Sequence, residues 1–61
     1  MTVQAIQFVK SGVVLREFPC DFYSLNWMNA IPAILNKHDR SVIFIPSPTY
    51  YDYIEVTDLG D

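Results

Sequence analysis

Val42, Ile43, Phe44 and Ile45 follow one another without a polar break. Successive side chains of a strand point to opposite faces. Val42 and Phe44 should therefore face one way, and Ile43 and Ile45 the other. A strand of this kind wants apolar cover above and below. A chain of 61 residues with one other layer covers one face and leaves the second to another copy or to a partner. Val42, Ile43, Phe44 and Ile45 are thus the expected oligomer interface, in a homodimer.

Size strengthens that expectation. The chain reads as a single small domain over 1–61. A domain of this length buries only about 60% of the surface its unfolded chain exposes. Ordering costs about 1.5 kcal/mol per residue and nearly cancels the hydrophobic gain. Small domains therefore need a staple. Cys20 is the single cysteine, so no disulfide framework forms. With Cys20 and the lone His38 as the soft ligands, a four-ligand structural zinc is not expected. Oligomerisation remains. The composition suits it, with 51% hydrophobic and 15% aromatic residues.

A lone thiol fits a reducing compartment. The start Met1-Thr2-Val3-Gln4 lacks the basic region of a secretory signal. No apolar run is long enough to span a bilayer. The expected location is the cytoplasm, with no membrane partner.

The net charge of −3 is unevenly placed. Residues 1–40 carry all four bases and three of the acids. Residues 41–61 carry Asp52, Glu55, Asp58 and Asp61 and no base. Such a pole repels nucleic acid and attracts a basic surface.

Along the chain, residues 2–18 read as a β-hairpin turning at Lys10-Ser11-Gly12, where glycine supplies the positive φ of a tight turn. Pro19 ends the second strand or places it on an edge. Trp27, Met28, Ile31, Ile34 and Leu35 recur at helical spacing. Asn26, Asn29, Asn36 and Lys37 fall opposite them. Two helical readings follow: one helix over 22–37 kinked at Pro32, capped by Asp21 or Ser24, or a shorter helix over 30–37 capped by Asn29. Lys37 and His38 suit the C-terminal end of either. Ser41–Ile45 is a strand, 46–49 a proline-rich loop and Tyr50–Thr57 a last strand. The sum is α+β, in the order ββαββ: an antiparallel sheet of about four strands with one helix packed on one face.

Most chemistries are excluded by what is missing. Gly12 and Gly60 are the only glycines, so no phosphate-cradling loop can be written. Cys20 and His38 lie in no nucleophile signature, and the acids do not follow the spacing of a calcium loop. No catalytic residue, metal site or cofactor is expected. The best candidate site is the last strand. Tyr50, Tyr51 and Tyr53 offer large rigid contact area, and Asp52, Glu55 and Asp58 would steer a basic partner. An ordinary edge strand, protected by its acids from edge-to-edge pairing, explains the same residues. The functional expectation is a non-enzymatic, acidic protein-binding module. An inhibitor or modulator of a partner, of the kind mobile elements and viruses carry, is its most concrete form. A self-assembling structural subunit is the second reading, and a small enzyme with its site at a dimer seam the third.

Overall fold

The computed structural model describes residues 4–58. Six strands make two antiparallel three-stranded sheets. They are β1 (Gln4–Lys10), β2 (Val13–Pro19), β3 (Tyr23–Met28), β4 (Ile31–Asn36), β5 (Val42–Phe44) and β6 (Tyr53–Asp58). The first sheet runs β2-β1-β6 and the second β3-β4-β5. The described residues contain no helix.

The α+β expectation is therefore overturned: the segment taken for a helix is a second β-hairpin. Tyr23 pairs with Asn36, Leu25 with Ile34 and Trp27 with Pro32, around a two-residue turn at Asn29-Ala30. Both turn residues have positive φ, 52° and 67°. That is the signature of the type I′ turn, whose twist matches paired strands. Asn29 caps no helix here. Pro32 explains why a strand is tolerated where a helix is not. Met28 and Ile31 flank the turn as the hydrogen-bonded pair, so Trp27 and Pro32 form the next, non-hydrogen-bonded pair. The proline nitrogen then faces away from β3. On its other side, β5 pairs only with Ile34 and Leu35, so no ladder bond is lost. Lys37 and His38 sit in the β4–β5 turn rather than at a helix end. That turn is held by the Arg40 N–H to the Asn36 carbonyl (2.8 Å) and the Ser41 N–H to Asp39 Oδ1 (2.9 Å).

The N-terminal hairpin forms as the sequence suggests, and its turn is of the same kind. Ser11 and Gly12 have φ 52° and 75°. Pro19 is the last residue of β2, on the sheet edge.

Ile6, Phe8 and Phe18 of the first sheet cluster with Ile34 of the second. Phe8 is the hub. Its ring meets Phe18, Phe44, Tyr50 and Tyr51 edge-on at centroid distances of 6.0, 5.6, 6.4 and 5.4 Å. Edge-to-face geometry sets the positive rim of one ring against the negative face of the next. Arg16 completes the cluster from the solvent side, its guanidinium 5.1 Å from the Phe18 ring centre and 4.7 Å from that of Phe44. The result is a thin slab of 34 × 31 × 14 Å.

Candidate binding surfaces

The residues singled out in the sequence divide between core and surface. Of the four-residue apolar run, Phe44 packs into the core, while Val42, Ile43 and Ile45 are exposed. The alternation expected of the run is broken: a register shift pairs Val42 with Leu35 and Phe44 with Ile34, so Val42 does not share the covered face of Phe44.

The tyrosine-rich segment divides too. The Tyr50 N–H donates to the Ser47 carbonyl (3.0 Å), and this turn sends Tyr50 and Tyr51 against Phe8. Strand β6 begins only at Tyr53. Asp52 is engaged structurally: its Oδ2 accepts the Ser11 N–H (2.8 Å), and its own N–H donates to the Val9 carbonyl (2.8 Å). Asp58 accepts the Gln4 amide at 3.1 Å. Tyr53 and Glu55 remain outward, on one face. Asp61 lies outside the described residues.

Pairing in the first sheet shows what surrounds Tyr53 and Glu55. Three cross-strand rows share the face turned away from the core. Pro19, Ala5 and Thr57 form one, Glu17, Gln7 and Glu55 the second, and Val14, Val9 and Tyr53 the third. A bulge at Leu15 brings Val14 into line, since Val9 pairs with Val14 while Phe8 pairs with Arg16. The face holds two carboxylates and no lysine or arginine. Gln7 lies between the two acids and donates its amide to Glu17 Oε2 at 2.7 Å. Two strand spacings put Glu17 and Glu55 roughly 10 Å apart, about a Debye length in physiological salt. Their mutual repulsion is weak, and both can draw on a cation between them. Glu17 could not be assigned to this surface from sequence, because its place beside Glu55 depends on the β2-β1-β6 order.

A second surface lies at the far end of the second hairpin. Ile31, Pro32, Ile45, Pro46, Pro48 and Tyr51 line a groove of about 400 Å³ with no charged side chain on its walls. Trp27, the cross-strand partner of Pro32, stands beside it, 59% exposed.

The titratable groups bear on chemistry. Among the described residues the buried side chains are all apolar, and no group of three metal-ligating side chains occurs. Asp39 is held below its ordinary value by the Ser41 hydroxyl and then by the Ser41 N–H, in an exposed turn. Among the described residues no helix is long and apolar enough to cross a membrane. Comparison with protein-family models, curated proteins and solved structures finds no match.

Proposed function

We propose that this protein is a non-enzymatic binding module whose outward face on the first sheet docks on a basic patch of another protein. The observation that carries the reading is the composition of that face. Exposed Tyr53 and Val14, on either side of the buried Val9, adjoin an acidic row of Glu17, Gln7 and Glu55. Tyrosine supplies buried contact area, and the paired acids supply steering and register for a lysine or arginine. General acid–base chemistry calls for a titratable group in a desolvated site. The buried side chains described are apolar, which favours occupancy over chemistry as the mode of action. Modulation of the partner by steric block follows from such docking. The free thiol of Cys20 fits a cytoplasmic setting.

The test compares the immobilised protein with a variant carrying Tyr53→Ala and Glu55→Ala. Both residues are exposed, so the fold should survive, as circular dichroism would show. A protein held stoichiometrically by the original chain, released by moderate salt and bound roughly tenfold or more weakly by the variant, supports the reading. Equal retention by both chains contradicts it.

A further inference from the structure

We infer that a second copy of this chain covers the end of the second hairpin, with Trp27 of each copy seated in the proline-lined groove of the other. This is separate from docking on the acidic face and stands or falls independently of it.

The inference starts from the inner face of the second sheet. Alternation puts Tyr23, Leu25 and Trp27 of β3 on one face, with Pro32 and Ile34 of β4 beside them. Tyr23, Leu25 and Ile34 belong to the core cluster. Trp27 is next in the same row, yet 59% exposed. The core-facing row thus runs on past the cover its own chain provides. Around it Met28, Ile31 and Ile45 are each about half exposed. An end this apolar marks an interaction site.

The occupant follows from charge and placement. The groove walls carry no charged side chain, so they offer nothing to attract a charged partner. Proline rings and Tyr51 suit a flat apolar group. A tryptophan ring, the largest exposed apolar side chain here, fits within about 400 Å³. Projection and receptacle lie side by side, because Trp27 pairs with Pro32 and Pro32 lines the groove. A two-fold axis passing between them brings each tryptophan to the other's groove, the reciprocity an isologous dimer requires. A chain of this size with no disulfide has the most to gain from such cover.

Trp27 is the sole tryptophan, so its fluorescence reads the contact directly. Emission should move to shorter wavelength as concentration rises, in step with a doubling of mass by light scattering. Ile45→Lys places a charge in the groove at an exposed position without touching the fluorophore. It should weaken dimerisation roughly tenfold or more and hold the emission at long wavelength. Mixing Ile45→Lys with Trp27→Ala restores one of the two contacts and should recover part of the shift. A monomer at all concentrations overturns the inference, as does a dimer whose emission stays that of an exposed indole. Partner binding through Tyr53 and Glu55 is left intact by either failure.

Discussion

The two hairpins have the same turn and opposite tips. Both reverse through two residues of positive φ, Ser11-Gly12 in one and Asn29-Ala30 in the other. The first tip is tied down by the chain itself. Lys10 Nζ donates to the Thr49 carbonyl (2.7 Å), the Ser11 N–H to Asp52, and the Asp52 N–H to Val9. The second tip carries Trp27, Met28 and Ile31, each more than half exposed, and among the described residues no side-chain hydrogen bond reaches Asn29 or Ala30. Both tips leave apolar side chains exposed, Val13, Val14 and Leu15 at the first and Trp27, Met28 and Ile31 at the second; they differ in that the first turn is hydrogen-bonded to the 49–52 segment and the second adjoins an open apolar groove. The turn chemistry sets the hairpin in both cases, and what surrounds the tip decides whether the turn is anchored by hydrogen bonds or left free beside a groove.

Removal of the shared hub should have the largest effect. Phe8→Ala deletes a fully buried ring that meets four others. A loss of about 3–5 kcal/mol is expected, against a total stability of roughly 3–9 kcal/mol for a chain this long. Urea denaturation should show the midpoint falling by half or more, or the transition lost altogether. Both hairpins depend on this ring, so survival of either one alone would separate them.

Substitutions in the turns should move stability in opposite directions. Gly12→Ala puts a Cβ at φ 75° with nothing within 4 Å of it. Backbone strain alone should cost about 1 kcal/mol. Ala30→Gly relieves an alanine held at φ 67° and should raise stability by up to about 1 kcal/mol, after the entropy of the added glycine is subtracted. Melting temperatures should fall and rise by roughly 4–8 °C per kcal/mol. A loss at both sites would show that Ala30 makes contacts that outweigh its strain.

Release of the first tip should have a smaller effect. Asp52→Ala removes the acceptor for the exposed Ser11 N–H and should cost about 0.5 kcal/mol. Amide exchange at Ser11 should accelerate most. The smallest effect is expected at Asp39. Its pKa is lowered in the folded chain by the Ser41 hydroxyl and N–H, so its stabilising share is present above the unfolded value and is lost as pH falls through the folded one. Ser41→Ala should return the Asp39 titration, followed by NMR, towards its ordinary value. An unchanged titration would leave the backbone N–H as the dominant cause.

Several elements could be read from residues alone because local signals agreed. Gly12 between two apolar runs marks the first hairpin. Val42–Phe44 is strand in the apolar run, and the prolines at 46 and 48 mark the loop. The second hairpin was hidden by a coincidence of periods. Trp27, Ile31, Ile34 and Leu35 satisfy a helical spacing, yet Tyr23, Leu25 and Trp27, with Pro32 and Ile34, satisfy a spacing of two. Asn-Gly would have announced the turn, whereas Asn29-Ala30 does so only through Asn29. Pro32 was the residue that argued against a helix, and its cost vanishes in a non-hydrogen-bonded position of the strand. At the surface, Tyr53 and Glu55 were marked only as members of the tyrosine-rich, acidic last strand. Tyr50 and Tyr51 were not separable from them, because the turn at Ser47–Tyr50 that sends their rings to the core has no marker beyond Pro48. Glu17 and the groove beside Trp27 depend on strand order and on contacts distant in sequence.

Amide hydrogen exchange mapped by residue over a range of protein concentrations tests the contrast between the two ends most directly. Amides around the Ser11-Gly12 turn should be protected equally at every concentration. Those from Trp27 to Ala33 should exchange faster in dilute solution and gain protection as concentration rises. Equal protection at both tips, unchanged by concentration, would contradict the account.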